Sequence, residues 1–200
     1  VLARYPVAAY AAPHLALADV TGDAGFVCPA RRVARAHAGH GRPAWLYHFT
    51  FVTALGRATG LGSHHGAEIP FLFADPAAGG PAALAGPEAK DLARVMQGLW
   101  SNVARAGDPG SVATGPRGGE TAAITWARYA PAADNGLSLG AKPAMTRGWR
   151  ADKCDLWDRI AAGRGGELPT PAAATATPTR RQTPPAAAGG RAVLPVAYMP

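Results

Sequence analysis

Residues 44–53 read AWLYHFTFVT, a run of aromatic and β-branched side chains that contains no Asp, Glu, Lys or Arg. A short apolar run of this composition predicts a β-strand that is buried on both faces. A loop rich in glycine and histidine follows from Gly56 to about Ala67.

The clearest helix is predicted over Pro87–Ala106. Its apolar residues recur at steps of three and four and form one stripe, made of Leu92, Val95, Met96, Leu99, Trp100 and Val103. Pro87 suits the first turn, Glu88 favours the positive end of the helix dipole, and Gly107 ends the helix.

Weaker patterns predict the remaining elements. They indicate loop and short turns over 1–25, a helix over Pro29–Ala38, a polar loop reaching Thr125, a short strand at Leu137–Leu139 and a helix over Lys153–Ala162. Trp126 and Tyr129 are expected to pack onto the body of the fold. Over 163–200 proline and alanine leave too little large apolar surface to offset chain entropy, so a disordered tail is predicted. Nothing indicates where its apolar stretch, Val193–Met199, would dock.

The formal net charge is +7 and the pI is about 10.0, which raises the question of an anionic partner. The basic clusters at 31–35 and 147–153 carry no recognisable nucleic-acid-binding motif, so no nucleic-acid partner is predicted. No run of about 18 apolar residues is present, so no membrane span is predicted. The first residues, VLARY, lack an initiator Met and a signal-peptide layout, which favours a chain cut from a longer one.

Residues 62–71 read GSHHGAEIPF. This stretch resembles the type-B carboxylesterase block in which Gly, two variable residues, His-Gly, one variable residue and Glu-Ile surround the catalytic histidine. The match places that histidine at His65, because Gly66 follows it. His64 falls on a variable position and remains the weaker alternative as proton carrier.

Other segments are similar to the same family in the same order. They are DAGFVCP at 23–29, WLYHF at 45–49, Trp100, GDP at 107–109, Trp126, Tyr129 and CDLWD at 154–158. The resemblance covers roughly residues 1–160. It implies that 1–162 is the C-terminal part of an α/β-hydrolase domain, an incomplete domain with a mixed sheet flanked by helices.

The resemblance also implies the chemistry. Ester hydrolysis needs a hydroxyl nucleophile, a base that takes its proton, and a group that orients the base. In this family the order is Ser, Glu, His, so His65 would be general base and then general acid, while Ser and Glu would lie upstream of this chain. The substrate would be a small carboxylic ester, the partner would be the remaining N-terminal part of the same polypeptide, and no cofactor is implied. Gly66 and Glu68 would support the loop from behind His65, although Glu68 could also be a solvated carboxylate.

Two local patterns offer competing sites. Residues 136–140 match Gly-x-Ser-x-Gly around Ser138, but they follow His65, reversing the family order, and Pro143 opposes an immediate helix. We interpret that match as chance, so these 200 residues alone are predicted not to hydrolyse esters. His64 and His65 have no third ligand at a typical spacing, so no metal site is predicted. Without the flanking match, a histidine in a glycine-rich loop would most often simply be exposed.

Cys28 and Cys154 are the two cysteines of the chain. Two buried free thiols are one reading. The resemblance implies the other, a disulfide between the Cys-Pro segment and the cysteine before the terminal Trp. A disulfide would place the protein in an oxidising compartment, secreted or extracytoplasmic.

Two alternatives to an esterase stay open. The chain could belong to a catalytically inactive, cholinesterase-like binding or adhesion protein. It could also be a truncated product without a function of its own, an alternative that the unusual Pro/Ala tail favours.

Overall fold

The computed structural model of the chain describes residues 1–75, 86–114 and 122–163, together with the backbone of 194–198. The helices are α1 (Pro13–Gly22), α2 (Cys28–Gly39), α3 (Ala54–Ala58), α4 (Ile69–Phe73), α5 (Pro87–Ala106) and α6 (Ala151–Gly163), with a π-helix, Asp23–Val27, between α1 and α2. The strands are β1 (Ala44–Phe49), β2 (Ser111–Thr114), β3 (Ala122–Thr125), β4 (Asn135–Leu139), β5 (Ala144–Arg147) and β6 (Leu194–Tyr198).

The main sheet has the order β5-β4-β1-β6. β1 runs parallel to β4, with Tyr47 opposite Leu137, and parallel to β6, with Ala44 opposite Leu194. β5 closes the other side antiparallel to β4. This is a mixed sheet flanked by helices, and it confirms the predicted α/β class.

Strand β1 is buried along its whole length, as its apolar composition predicts. Successive side chains of a strand point to opposite faces, so β1 supplies both layers of the core. Trp45, Tyr47 and Phe49 join the cluster that contains α5. Ala44 and Leu46 join the cluster that contains α2 and the two cysteines.

Helix α5 has the bounds that its apolar stripe predicts. Leu92, Met96 and Leu99 are all but fully buried against the first face of the sheet. Gly107 adopts the left-handed conformation, with φ of 71°, and its N–H donates to the carbonyl of Val103. A residue without Cβ accepts this conformation at little cost, so Gly107 ends the helix as predicted.

Helices α2 and α6 cover the second face. The predicted helices are confirmed, extended by one or two residues at their ends. Trp126 and Tyr129 are buried, as expected. The Trp126 indole donates to the carbonyl of Leu46, and the Tyr129 N–H donates to the carbonyl of Ala44, so the segment after β3 lies along β1.

The prediction of loop and short turns over 1–25 is confirmed for residues 1–12 and wrong from Pro13 onward. Leu2–Arg4 and Val7–Ala9 form 3₁₀ turns, whereas α1 and the π-helix make Pro13–Val27 helical. α1 buries only Ala16 and has no apolar stripe, so its sequence lacks the periodicity that indicates a helix. Pro13 occupies its first turn, where a missing N–H does no harm.

The prediction of a polar loop reaching Thr125 was also wrong, because the structure has a strand at each end of that segment. Ser111–Thr114 pairs antiparallel with Ala122–Thr125. These strands are only four residues long, and the first alternates exposed and half-buried positions. Neither offers the longer apolar run that indicates a buried strand. Cross-strand pairing, including Ser111 Oγ within 2.6 Å of Thr125 Oγ1, stabilises the hairpin instead.

The predicted tail, 163–200, lies mostly outside the described residues. Two parts of it are described: Gly163 ends α6, and Leu194–Tyr198 is the strand β6 beside β1. Within the described ranges, no helix is both long and apolar enough to cross a membrane.

Candidate active site

The loop between α3 and α4 carries His65 and is held at several points. Gly62 N–H donates to the Gly56 carbonyl, and Ser63 Oγ donates to the Phe49 carbonyl at the end of β1. A Cβ on Gly56 would lie 2.3 Å from the Gly62 carbonyl oxygen, so only glycine fits there. The loop is therefore fixed to the carboxyl end of the central strand.

The start of this loop differs from the prediction. Strand β1 ends at Phe49 rather than at Thr53. Thr53 Oγ1 accepts the Gly56 N–H and caps α3, so residues 56–58, expected in the loop, are helical. A threonine that caps a helix satisfies one of its free N–H groups, which favours the helix over a longer strand.

His65 and His64 are both exposed, but they make different contacts. The His65 ring stacks on the Phe26 ring, with centroids 4.7 Å apart and planes inclined by 26°. Nδ1 of His64 lies 3.0 Å from the carbonyl oxygen of His65. His64 thus contacts its own backbone, while His65 contacts a ring from another segment.

Glu68 lies beneath the loop and is 3% exposed. Among the described residues its Oε2 has no hydrogen-bond partner. Burial, and next the charge of Glu68, raise the pKa of Tyr47, a core residue of β1. Glu68 is therefore not the solvated carboxylate that remained an alternative on the sequence. Gly66, with φ of 82°, makes the turn between His65 and Glu68.

Phe26 lies on the π-helix, which is anchored at both ends. Asp23, its first residue, is 1% exposed and accepts hydrogen bonds from Arg150 and from the Tyr5 hydroxyl. Cys28, just after its last residue, forms a disulfide with Cys154 of α6. The disulfide implied by the resemblance is therefore present, and the reading of two free thiols was wrong.

Comparison with known proteins decides the family. The model of the Carboxylesterase family matches residues 8–157. The chain belongs to the carboxylesterase family.

The relatives of this carboxylesterase-family chain include acetylcholinesterases and a neuroligin. It is 32% identical to acetylcholinesterase of Gallus gallus over 147 residues, which are 72% of this chain and 18% of that protein. It is 30% identical to acetylcholinesterase of Bungarus fasciatus over 152 residues, 72% of this chain and 23% of that protein. It is 29% identical to neuroligin-2 of Homo sapiens over 147 residues, 68% of this chain and 17% of that protein. The chain thus spans about a fifth of the length of these relatives.

Ser138 lies inside strand β4 of this carboxylesterase-family chain. In the sheet Ser138 lies opposite His48 of β1 and opposite Ala144 of β5. Its Oγ is 3.1 Å from Thr50 Oγ1. A nucleophile elbow needs a sharp turn between a strand and a helix, whereas here β4 is followed by another strand. The geometry does not suit Ser138 to the role of nucleophile.

A cavity of about 480 Å³ opens beyond the carboxyl ends of β1 and β4. It is lined by Thr50, Phe51, Val52, Arg57, Gly86, Pro87, Glu88, Ala89 and Ala141. Ligands of open α/β sheets bind beyond the carboxyl ends of their strands, which is also where the His65 loop begins. His65 is not among the residues that line the cavity.

The buried His48 of β1 packs in the fold. His48 stacks on Trp149 with ring centroids 4.2 Å apart, and burial lowers the pKa of His48 to about 4. Where residues are described, no group of three or more His, Cys, Asp or Glu side chains is placed to hold a metal ion.

Phe26 was missed on the sequence, because its contact with His65 joins segments 39 positions apart and leaves no local pattern.

Proposed function

We propose that this chain supplies His65 as the catalytic histidine of a carboxylic-ester hydrolase. The nucleophilic serine and the acidic member of the Ser-Glu-His triad belong to the part of the polypeptide upstream of Val1. The observation that carries the proposal is the position of His65, in a fixed loop after the central strand of a carboxylesterase-family sheet.

The exposure of His65 supports this role. A general base must reach the hydroxyl proton directly, so its ring nitrogens have to face a partner group. An imidazole on the surface of the described residues can meet a serine from a separate part of the domain. A buried ring such as His48, which is 3% exposed and stacks on Trp149, cannot.

The imidazole would act twice. It takes the proton of the serine hydroxyl as the serine attacks the ester carbonyl, and it then donates that proton to the departing alcohol. In the second half it takes a proton from water, which attacks the acyl carbon. It then returns that proton to the serine oxygen as the acyl bond breaks, which releases the acid and restores the serine hydroxyl. These steps need no cofactor, and the substrate class is small carboxylic esters.

Glu68 and Gly66 would support this chemistry from behind the histidine. Gly66 lets the chain turn directly after His65, which brings Glu68 under the loop. A buried carboxylate oxygen without a donor is unfavourable, so we infer that a donor from outside the described residues binds Glu68 Oε2. Glu68 would then join the loop to the rest of the domain.

The test uses the complete polypeptide, extended upstream, with p-nitrophenyl acetate as substrate. His65→Gln is expected to lower kcat on the order of 10⁴-fold, because no other group takes the proton. His64→Gln is the matched control, one position away and also exposed, and should leave kcat unchanged. Equal effects of the two substitutions, or a His65→Gln protein with full activity, would contradict the proposal. Residues 1–200 alone are expected to show no turnover.

A second candidate is a binding protein without hydrolase activity. The match to neuroligin-2, whose name states no catalytic activity, favours it as an alternative. The upstream sequence separates the two candidates. A Gly-x-Ser-x-Gly elbow between a strand and a helix supports the esterase, and a different residue at the serine position supports the binding protein.

We also propose a secreted or extracytoplasmic location. The support is the disulfide between Cys28 and Cys154, because such bonds persist in oxidising compartments. Alkylation of unreduced protein in intact cells tests this location. Two accessible thiols in the freshly isolated protein would contradict it.

A further inference from the structure

We propose that Phe26 is a positioning residue for His65, and that the π-helix Asp23–Val27 is the rigid support through which it acts. The inference rests on the proposed role of His65 as proton carrier and adds to it the group that sets the plane of its ring. Phe26 itself takes no part in the proton transfers.

The contact between the rings is of a kind that suits a catalytic imidazole. The rings stack face to face, with centroids 4.7 Å apart. Stacking engages the π face of the imidazole, whereas its two nitrogens lie in the ring plane and form hydrogen bonds at the edge. Phe26 can therefore restrain the ring without competing with a serine or a glutamate for either nitrogen.

The exposure of Phe26 is a second observation. Its side chain is 48% exposed, although the neighbouring residues Val27 and Cys28 are fully buried. Among the described residues this ring belongs to neither core cluster. Its stacking partner is the imidazole of the candidate catalytic histidine.

The π-helix that carries Phe26 is held at both ends, by hydrogen bonds at one and by a disulfide at the other. At its start, the buried Asp23 carboxylate accepts hydrogen bonds from Arg150 Nε, Arg150 Nη2 and the Tyr5 hydroxyl. At its end, the Cys28–Cys154 disulfide follows directly. Arg150 and Cys154 both lie at the start of α6, so one helix end holds both ends of the π-helix.

The π-helix itself agrees with this role. Single π-turns are rare and are found frequently at functional sites. A π-turn holds one residue more than an α-turn, which changes the direction in which the following side chains project. Here the widened turn presents Phe26 to the His65 loop while Asp23 and Val27 remain buried.

The experiment compares three variants of the complete polypeptide. Phe26→Ala removes the ring, Phe26→Trp keeps an aromatic face, and Phe73→Ala is the matched control, since Phe73 is an exposed phenylalanine at the end of α4. Because Phe26 is half exposed, its truncation is not expected to unfold the protein. Two readouts are used: the ¹³Cε1–¹H NMR signal of His65, assigned with His65→Gln, and kcat per titrated active serine.

Phe26→Ala should remove the ring-current shift of the His65 signal and lower kcat on the order of tenfold, while KM changes less than about twofold. Phe26→Trp should restore kcat, and Phe73→Ala should change neither readout. A structural role alone would lower the number of titratable sites without lowering kcat per site.

Two results overturn the inference. One is an active enzyme in which Phe26→Ala leaves the His65 signal unchanged. The other is a shifted signal with unchanged kcat, which would mean that the stack exists but does not position the ring. An unmodified polypeptide with no turnover instead contradicts the proposed function of His65, and the NMR comparison still reports whether the stack forms.

Discussion

Arg31 and Asp134 lie 103 positions apart and form a buried ion pair, with Nη2 and Oδ2 2.8 Å apart and Nε donating to the same carboxylate. The side chains are 3% and 12% exposed. Asp134 immediately precedes β4, and Arg31 belongs to α2. Arg31 also binds Asp155 of α6, so one guanidinium joins three elements of the second layer.

Replacing Arg31 with Met is expected to destabilise the fold by about 3 kcal/mol, because it leaves a buried carboxylate without its main cation. The double variant Arg31→Met/Asp134→Asn should regain part of that loss. Urea unfolding curves measure both. The control is Arg4→Met, whose partner Asp152 is 57% exposed, and it should change stability by less than about 1 kcal/mol. Equal losses in the two single variants would contradict the prediction.

The stability of the chain should fall in acid. Burial alone would raise the pKa of Asp134, but hydrogen bonds from Arg31 and Tyr129 outweigh it and lower the pKa below its ordinary value of 3.8. Asp19 shows the same balance, with Arg150 as the main donor, and its pKa is lowered too. A group whose pKa is lowered by folding contributes stability above its unfolded pKa, and that contribution disappears as pH falls through the folded pKa.

The measurement is the urea midpoint between about pH 7 and pH 2. The midpoint should be nearly flat above about pH 6.5 and should fall from there to about pH 4, because burial lowers the pKa of His48 to about 4 and the unfolded chain binds that proton first. It should fall further below the ordinary pKa of the two carboxyl groups. Asp134→Asn should make the acid branch less steep and lower the midpoint at neutral pH. The same acid slope in the variant and the unmodified chain would show that Asp134 does not contribute.

The disulfide between Cys28 and Cys154 closes a loop with a sequence separation of 126. Replacing both cysteines with Ala should lower the free energy of unfolding by about 4–5 kcal/mol, since the cross-link restricts the unfolded chain. Reductant should destabilise the unmodified chain and leave the variant unchanged. Mass spectrometry of unreduced peptides should show Cys28 joined to Cys154, and two alkylatable thiols would refute the bond.

Gly56→Ala tests whether the His65 loop needs its close backbone approach. The added Cβ would lie 2.3 Å from the Gly62 carbonyl oxygen, so the backbone has to move. We expect a loss of about 1–3 kcal/mol in stability, and in the complete polypeptide a loss of esterase kcat on the order of tenfold or more. Gly39→Ala is the control, because an added Cβ there meets nothing within 4 Å. Equal kcat in both variants would contradict the prediction.

The sequence predicted the elements whose burial produces a clear pattern of apolar residues. Helix α5 has an apolar stripe that packs on the sheet, and β1 has a run of mostly apolar residues that is buried on both faces. Helix α1 buries a single alanine, and the strands β2 and β3 are stabilised by pairing with each other. Their structure depends on partners, which a local pattern does not record.

The residues of the candidate site that lie in one short motif were predicted from the sequence, whereas its noncovalent contacts between distant segments were not. His65, Gly66 and Glu68 form a contiguous motif, so the resemblance could name all three. The resemblance also implied the bond between Cys28 and Cys154. The Phe26–His65 stack and the hydrogen bonds from Arg150 to Asp23 join distant segments that the motif does not contain. Such contacts exist only once the layers have assembled, and they could not be inferred from the spacing of residues.

Strand β6 pairs with β1 in a register that sets Ala44 opposite Leu194, 150 positions later. During synthesis on the ribosome, β1 therefore emerges long before this neighbour, and one row of its backbone amides and carbonyls stays open meanwhile. An apolar strand with an open edge is a template for pairing with other nascent chains. The edge of β1 is therefore open to intermolecular pairing until Leu194–Tyr198 has been synthesised.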